Sequence, residues 1–149
     1  MMIRPLQTTD LEALLALDVA TNPHPWTRQQ WLDSLSQHRC LGLFADDMLL
    51  GFAVCMNLPD EAELLLIAVE PQRQGTGLGQ QLFHRLCDQL RTENKQRLLL
   101  EVRASNLRAQ HFYLAAGCNE LGRRKGYYPT ADGREDALLY ARNLDRTQP

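Results

Sequence analysis

A glycine-rich segment, Gln74–Gly79, has the residue types of an anion-binding turn and reads Gln-Gly-Thr-Gly-Leu-Gly. It lies between an apolar run, Leu64–Val69, and a helical pattern that begins near Leu78. Glycines let the backbone approach a ligand closely, and a helix that starts among them directs unpaired N–H groups and its positive dipole end outward. Such a turn suits a phosphate, although glycine-rich helix starts also occur for packing reasons alone.

The glycine spacing argues against two common phosphate-binding motifs. A P-loop requires Gly-Lys followed by Ser or Thr, whereas Gly77 is followed by Leu78. A dinucleotide-binding fingerprint requires Gly-x-Gly-x-x-Gly, and Gln80 occupies the position of its third glycine. The pattern present is Gln-x-x-Gly-x-Gly, at Gln74, Gly77 and Gly79. A nucleoside triphosphatase is therefore not expected.

Two further residues have side chains suited to proton transfer. Glu101 interrupts an apolar strand pattern, and a partly desolvated carboxylate there would accept a proton near neutrality. The alternative is that Glu101 simply faces solvent on an alternating strand. Tyr113 carries a phenol, a weak acid that can donate a proton. It also lies in an apolar cluster, His111–Leu114, where a tyrosine commonly just fills the core.

The elements that must position these residues follow from hydrophobic periodicity and turn signals. Predicted strands are Ile3–Leu6, Cys40–Ala45, Leu49–Asn57, Glu63–Val69, Arg97–Val102, Glu120–Gly126 and Asp136–Asn143. Predicted helices are Asp10–Ala20, one that opens at Thr27, Leu78–Glu93, and Leu107–Ala116 with Ser105 or Asn106 as its cap. Predicted turns are Asp46-Asp47, between the second and third strands, and a last turn signalled by Pro129 and Asp132-Gly133. Strands around a central βαβ unit indicate an α/β (layered α+β) fold with a mixed sheet.

Local signals also predict how two of the helices begin. Thr9 with Glu12 and Thr27 with Gln30 have the spacing of capping boxes. Trp26 precedes the second box, in the position of a hydrophobic staple. The face of the first helix that is predicted to be buried consists of Leu11, Leu14, Leu15 and Val19.

Composition indicates a single domain over residues 1–149. With 16 basic and 18 acidic residues, the net charge of −2 gives no global positive field for nucleic acid. No apolar stretch approaches the ~20 residues that cross a bilayer, and the N-terminus lacks a signal-peptide core, so no membrane partner is expected.

The four histidines lack ligand spacing, which predicts no metal. Apolar contexts predict buried, reduced thiols and a cytoplasmic location for Cys40, Cys55, Cys87 and Cys118.

The Gln-x-x-Gly-x-Gly pattern and the order of the elements resemble the GNAT family of N-acetyltransferases over essentially the whole chain. Further runs resemble the branch of that family that acetylates the N-terminal alanine of a small-subunit ribosomal protein: Pro25–Thr27, Asp60–Ala62, Leu100–Asn106, Tyr127–Thr130 and Asp132–Ala137. The resemblance implies a largely antiparallel mixed sheet of about seven strands with helices on both faces. It also implies acetyl-coenzyme A as cosubstrate and a ribosomal-protein N-terminus as partner.

The resemblance assigns roles to matching residues. Glu101 corresponds to the family's proton acceptor and Tyr113 to its proton donor. Asn106 matches a coenzyme-contacting asparagine, although a helix N-cap explains it equally well. The acetyl and pantetheine portion is expected on the backbone of Ile67, Ala68 and Val69. The pyrophosphate is expected at the turn formed by Gln74, Gly75, Thr76, Gly77, Leu78, Gly79 and Gln80.

The acceptor is expected between the Pro23–Trp26 loop, which includes Trp26, and the Tyr127–Asp136 segment. Tyr127 and Tyr128 would line the backbone of the acceptor peptide. Glu135 and Asp136 would attract a basic acceptor. Exposed acids are also commonly just solvated.

One position departs from the family pattern. Many members carry arginine or lysine where this chain has Gly75, so weaker pyrophosphate binding is expected unless Arg73 supplies the charge. Arginine at this position is expected to tighten coenzyme binding. Two other functions stay open: acetylation of a small amine such as a polyamine or aminoglycoside, and a non-catalytic module that binds coenzyme A or a partner protein.

Overall fold

A computed structural model describes residues 1–144, and its seven strands and four α-helices agree with the sequence-based expectation. The strands are β1 (Met2–Pro5), β2 (Arg39–Ala45), β3 (Met48–Asn57), β4 (Glu61–Val69), β5 (Arg97–Arg103), β6 (Asn119–Thr130) and β7 (Gly133–Asn143). The helices are α1 (Leu11–Thr21), α2 (Arg28–Gln37), α3 (Leu78–Thr92) and α4 (Leu107–Ala115). Short 3₁₀ turns occupy Thr8–Asp10 and Pro71–Arg73.

The strands form one mixed sheet in the order β1-β2-β3-β4-β5-β7-β6. The pairs β1/β2, β2/β3, β5/β7 and β6/β7 are antiparallel, and β4/β5 is parallel. The segment β4–α3–β5 is therefore the predicted βαβ unit. Its parallel ladder covers only the pairs Glu61↔Arg97, Ala62↔Leu98 and Glu63↔Leu99.

The chain groups into two compact units. The first contains residues Met1–Asn57 and Leu64–Gln89, and the second contains Leu58–Glu63 and the chain from Leu90 onward. A single domain over residues 1–149 therefore stays a prediction, and residues 145–149 of that prediction lie outside the described part of the chain.

The core of the first unit centres on Trp31 of α2, which is fully buried and meets Phe52 edge-on at 5.2 Å between ring centroids. The buried face of α1 includes Leu11, Leu14 and Leu17. The prediction that Val19 belongs to this face is wrong, because Val19 is 68% exposed. Consecutive residues of an α-helix lie about 100° apart around its axis, and Asp18 occupies the buried position.

The start of α2 has the predicted capping box. Thr27 Oγ1 accepts from the Gln30 N–H at 3.1 Å, and Gln30 Oε1 accepts from the Thr27 N–H at 2.8 Å. Trp26 packs on Trp31 with ring centroids 4.8 Å apart, which confirms the hydrophobic staple.

The predicted capping box at Thr9 and Glu12 is wrong. A 3₁₀ turn precedes α1, and the N-cap position is Asp10. The Asp10 carboxylate accepts two hydrogen bonds from Arg4, each 3.0 Å long, and one from the Gln7 N–H at 2.8 Å. With Asp10 held in the 3₁₀ turn, α1 begins at Leu11, one residue later than predicted.

The second unit contains a longer β6–β7 hairpin than the sequence indicates. β6 continues to Thr130, so Pro129 pairs with Arg134 inside the ladder instead of forming the turn. The turn itself is Ala131–Asp132. β6 is an edge strand, where a proline without an N–H costs no ladder hydrogen bond.

All four cysteines are buried free thiols, as their sequence contexts predict. Within residues 1–144, no helix has the length and apolar character needed to cross a bilayer. The same residues contain no group of three or more His, Cys, Asp or Glu side chains placed to hold a metal ion.

Asp18 is the buried acceptor that fixes the connection between α1 and α2. The residue is 1% exposed. Its Oδ2 accepts from the Trp31 indole N–H at 3.0 Å and from the Trp26 backbone N–H at 2.8 Å, and its Oδ1 accepts from the Asn22 amide at 3.1 Å. One carboxylate thus holds a helix, a loop and the central tryptophan together.

Replacing this carboxylate should destabilise the first unit strongly. Asp18→Ala leaves a buried indole N–H and a backbone N–H without their acceptor, which should lower the free energy of unfolding by about 2–4 kcal/mol. Urea denaturation measures this loss. Asp33→Ala is the matched control, because Asp33 is an exposed helical aspartate with one side-chain partner, Gln29. Equal stabilities of the two variants would contradict the assigned role of Asp18.

Candidate active site

The glycine turn of the first unit depends on a left-handed backbone at two positions. Gly75 has φ +81° and Gly77 has φ +87°. Both angles are costly for residues with a Cβ atom. A Cβ atom built at either glycine would meet nothing within 4 Å. The backbone is therefore open at both positions, and a ligand such as a diphosphate could approach it closely.

Side chains hold this turn to the end of β4. The Gln74 side-chain amide donates to the Val69 carbonyl at 3.1 Å, and the Thr76 hydroxyl donates to the Arg73 carbonyl. The Gln74 amide thus contacts the protein backbone, and a contact of Gln74 with the coenzyme stays a prediction. The Gln74 contact ties the turn to β4, and the Thr76 contact closes the turn on the residue that precedes Gln74.

The first turn of α3 supplies the expected amides. The Gly77 carbonyl accepts from the Gln81 N–H at 3.0 Å, which places Gly77 at the helix start. The N–H groups of the first helical turn have no intrahelical acceptor, and here they belong to Leu78, Gly79 and Gln80. Leu78 packs in a cluster with Leu43, Leu50 and Val69, which anchors the helix start to the end of β4.

The segment of β4 that precedes the turn contains Ile67, Ala68 and Val69. Val69 is buried, while Ile67 and Ala68 are half-buried. The Glu70 N–H donates to the Leu50 carbonyl at 2.7 Å, which fixes this end of β4 to β3. The three residues lie beyond the last ladder pair with β5, Glu63↔Leu99.

In the second unit, Glu101 lies on β5 between the buried residues Leu100 and Val102, and its side chain points to the opposite face of the strand. Its side chain is 22% exposed. Glu101 Oε1 lies 3.4 Å from Arg124 Nε, and Glu101 Oε2 accepts from the Tyr128 hydroxyl at 3.4 Å. The carboxylate is therefore neither free in solvent nor part of the apolar core.

The two tyrosines of β6 differ in their surroundings. Tyr127 is 45% exposed, and its ring lies 5.0 Å from that of Tyr128. Tyr128 is half-buried, and the Arg103 guanidinium lies 4.3 Å above its ring. Burial, and then the negative charge of Glu101, raise the pKa of the Tyr128 hydroxyl. Tyr128 therefore stays protonated and donates to Glu101.

The acids expected to attract a basic acceptor have partners within the protein. Glu135 accepts from the Ser105 N–H at 2.9 Å and pairs with Arg103 at 3.4 Å. The hydrogen bond from Ser105, and then Arg103, lower the pKa of Glu135. Asp136 accepts from the Gly126 N–H at 2.9 Å and lies 3.7 Å from Arg123. Acceptor binding by these two acids stays a prediction.

Helix α4 carries Tyr113 and Asn106. Tyr113 is 9% exposed, with its ring 5.2 Å from Phe112 and 6.5 Å from Tyr140. Burial raises the pKa of the Tyr113 phenol well above its usual value, so the group is protonated at neutral pH. Asn106 Oδ1 accepts from the Ala109 N–H at 3.1 Å, which makes Asn106, rather than Ser105, the helix cap.

Within the second unit, the structure brings Glu101 and Tyr128 into contact and adds two residues that sequence reasoning missed. Arg124 and Arg103 belong to charged stretches that look like ordinary solvated positions. A strand pattern in the sequence shows which side chains share a face of one strand. It does not show the strand order β5-β7-β6, which places residues of β6 near Glu101 of β5. Of the predicted acceptor residues, Trp26 lies in the first unit, with its ring 4.8 Å from that of Trp31 and tilted by 49°.

The mixed sheet, the βαβ unit and the glycine turn at the start of its helix are the features that the sequence analysis expects of an N-acetyltransferase. Residues 6–118 match the Acetyltransferase (GNAT) family, and the chain belongs to that family. The resemblance seen in the sequence is confirmed, and the protein is an acetyltransferase.

Three relatives are similar over nearly the whole chain. The ribosomal protein bS18-alanine N-acetyltransferase of Salmonella typhimurium is 41% identical over 137 residues, 91% of this chain and 93% of that protein. The enzyme of the same name from Escherichia coli K12 is 38% identical over 140 residues, 93% of this chain and 95% of that protein. A crystal structure of the ribosomal-protein-S18-alanine N-acetyltransferase from Escherichia coli has a TM-score of 0.89, 36% identity, and coverage of 97% and 94%.

Proposed function

We propose that the protein transfers the acetyl group of acetyl-coenzyme A to the N-terminal alanine of a small-subunit ribosomal protein. The observation that carries the proposal is the similarity to enzymes named for this activity, at 41% and 38% identity. That similarity covers 91% and 93% of the chain, so most of the segments expected at the acceptor fall within it. A cytoplasmic location belongs to the same proposal and agrees with four free thiols.

The glycine turn and the end of β4 would hold the coenzyme. Amides at the start of α3 and the left-handed backbone of Gly75 and Gly77 suit the pyrophosphate. The backbone of Ile67–Val69 would hold the pantetheine as an added strand. Its N–H groups would also stabilise the thioester oxygen as that oxygen gains negative charge.

Glu101 would accept the proton of the acceptor amine. An α-amino group has a reference pKa of ~8 and is mostly protonated at neutral pH, so it must lose a proton before it attacks. Arg124 lies 3.4 Å from one oxygen of the carboxylate that would receive this proton, and the Tyr128 hydroxyl donates to the other oxygen. The transfer proceeds directly or through one water.

Tyr113 would supply the proton that the leaving group needs. The amine nitrogen forms a bond to the acetyl carbon, and the carbon–sulfur bond breaks with its electron pair on sulfur. The phenol is protonated at neutral pH, and because burial raises its pKa, donation would depend on the negative charge that develops on the coenzyme sulfur beside it. The products are an acetylated N-terminus and coenzyme A.

The acceptor can be tested with purified protein, acetyl-coenzyme A and a set of peptides that differ in their first residue. We expect mass spectrometry to show one added acetyl group at the α-amine of peptides that begin with alanine. Peptides with a blocked N-terminus and an internal lysine should stay unmodified. Acetylation of a polyamine or aminoglycoside, with the alanine peptides unmodified, would replace this proposal by a small-amine acetyltransferase.

Removal of either proton-transfer group should lower turnover without weakening the cosubstrate complex. Glu101→Gln should reduce kcat by roughly 10²-fold or more and Tyr113→Phe by roughly tenfold or more, since a positioned acid or base contributes about 10²–10⁴-fold. Steady-state kinetics measures kcat, and calorimetry measures the Kd of coenzyme A. Glu120→Gln and Tyr140→Phe are matched controls, an exposed acid on β6 and a buried tyrosine on β7. Unchanged behaviour of both test variants would favour a non-catalytic module.

The effect on coenzyme binding of the missing positive charge at Gly75 can be measured separately from the cost of placing a side chain there. At φ +81°, any side chain at this position should cost about 1–2 kcal/mol of folding stability, which the sequence alone could not show. Gly75→Arg and Gly75→Gln share this strain and differ in charge. We expect coenzyme A to bind the arginine variant several-fold more tightly than the glutamine variant, with the difference shrinking in high salt. Equal Kd values would show that the missing charge does not limit binding.

A further inference from the structure

Strand β6 contains a wide bulge opposite Asp136. The ladder pairs Arg124 with Ala137 and Tyr128 with Glu135. Between these pairs β6 has three residues, Lys125–Tyr127, where β7 has only Asp136. Gly126, in the middle of the bulge, has φ +59°, a left-handed conformation that favours glycine.

Two β7 side chains replace the ladder hydrogen bonds that the bulge interrupts. The Asp136 carboxylate accepts from the Gly126 N–H at 2.9 Å. The Arg134 guanidinium donates to the Gly126 carbonyl at 2.5 Å and to the Tyr127 carbonyl at 3.0 Å. Backbone polar groups that leave a ladder need such partners. The bulge is therefore a built feature with its own supports.

The residues on either side of the bulge are the two that contact Glu101. Arg124 lies 3.4 Å from one carboxylate oxygen and Tyr128 lies 3.4 Å from the other. Residues four apart in a regular strand are separated by about 13 Å. Here they pair with Ala137 and Glu135, which are two positions apart on β7, about 7 Å in a regular strand. The bulge thus brings both side chains to one carboxylate.

We propose that Asp136 is a positioning residue for acyl transfer: its carboxylate fixes the Lys125–Tyr127 bulge, which holds Arg124 and Tyr128 on the two oxygens of Glu101. With both oxygens held, the carboxylate has one preferred orientation from which to accept the amine proton. This inference rests on the proposed role of Glu101. It differs from attraction of a basic acceptor, the role that the sequence suggests for Asp136.

Two substitutions of Asp136 separate the roles. Asp136→Asn keeps a side-chain oxygen that can accept from the Gly126 N–H but loses the charge, whereas Asp136→Ala loses both. We expect the alanine variant to lose roughly tenfold in kcat with little change in KM for the peptide, and the asparagine variant to keep most of its turnover. Hydrogen exchange by NMR should show the Gly126 amide protected in the asparagine variant and exposed in the alanine variant.

Arg123→Gln is the matched control, because both Asp136 variants also lose the charge that Arg123 faces at 3.7 Å. We expect this variant to have wild-type kcat and KM. A similar rise in KM for both Asp136 variants, with the Gly126 amide equally protected, would overturn the inference and assign Asp136 to acceptor attraction. If the alanine variant does not fold, the asparagine variant decides between retained turnover and raised KM.

Failure of the proposed function has a different signature. In that case the wild-type protein itself leaves alanine peptides unmodified. The exchange rate of the Gly126 amide still tests the role of Asp136 in the bulge. Rapid exchange in the asparagine variant, equal to that in the alanine variant, would reject the hydrogen bond as the support of the bulge.

Discussion

Backbone N–H groups that leave helices and strands need other acceptors, and in this protein side-chain oxygens supply them at three irregular segments. Asp18 accepts from Trp26 in the α1–α2 loop, Glu135 from Ser105 ahead of α4, and Asp136 from Gly126 in the bulge of β6. An unpaired N–H in a buried or ordered segment costs free energy comparable to a lost hydrogen bond. The irregular segments are therefore as defined as the strands that they connect.

This constraint changes how the acidic residues of the second unit are understood. Glu135 and Asp136 follow a turn signal in the sequence and look like exposed charges. In the structure both have arginine partners and accept backbone hydrogen bonds. Glu101 differs, because its two contacts are both with side chains, Arg124 and Tyr128. Contacts between side chains can rearrange when a substrate enters. Loss of a hydrogen bond to the backbone would instead disturb the fold.

The two proposed proton-transfer residues lie in contrasting environments. Glu101 has polar contacts at both carboxylate oxygens, with the Arg124 guanidinium and the Tyr128 hydroxyl. Tyr113 is surrounded by apolar and aromatic side chains, and burial raises the pKa of its phenol, which preserves the protonated form that a donor needs. The glycine turn offers backbone amides but no cationic side chain at position 75. Coenzyme binding would therefore depend on the backbone geometry of Gly75 (φ +81°) and Gly77 (φ +87°).

The sequence by itself determined the features that depend on neighbours within a few residues. The capping box of Thr27 and Gln30, the hairpin at Asp46-Asp47 with φ +48° and +66°, and the glycine start of α3 all agree with the structure. These features are local, since their hydrogen bonds and backbone angles involve adjacent positions. The family resemblance extended this reading to Glu101 and Tyr113, but not to their surroundings.

Only the tertiary structure decided which distant groups meet. Asp10 pairs with Arg4 of β1, Asp18 is buried where it accepts from the Trp31 indole, and Pro129 continues β6 because that strand lies at a sheet edge. Arg124 and Tyr128 both reach Glu101 across β7, and the bulge between them brings their side chains close together. Spacing along the chain records periodicity and local caps, whereas strand order, register and the partners of buried charges depend on residues far apart in sequence.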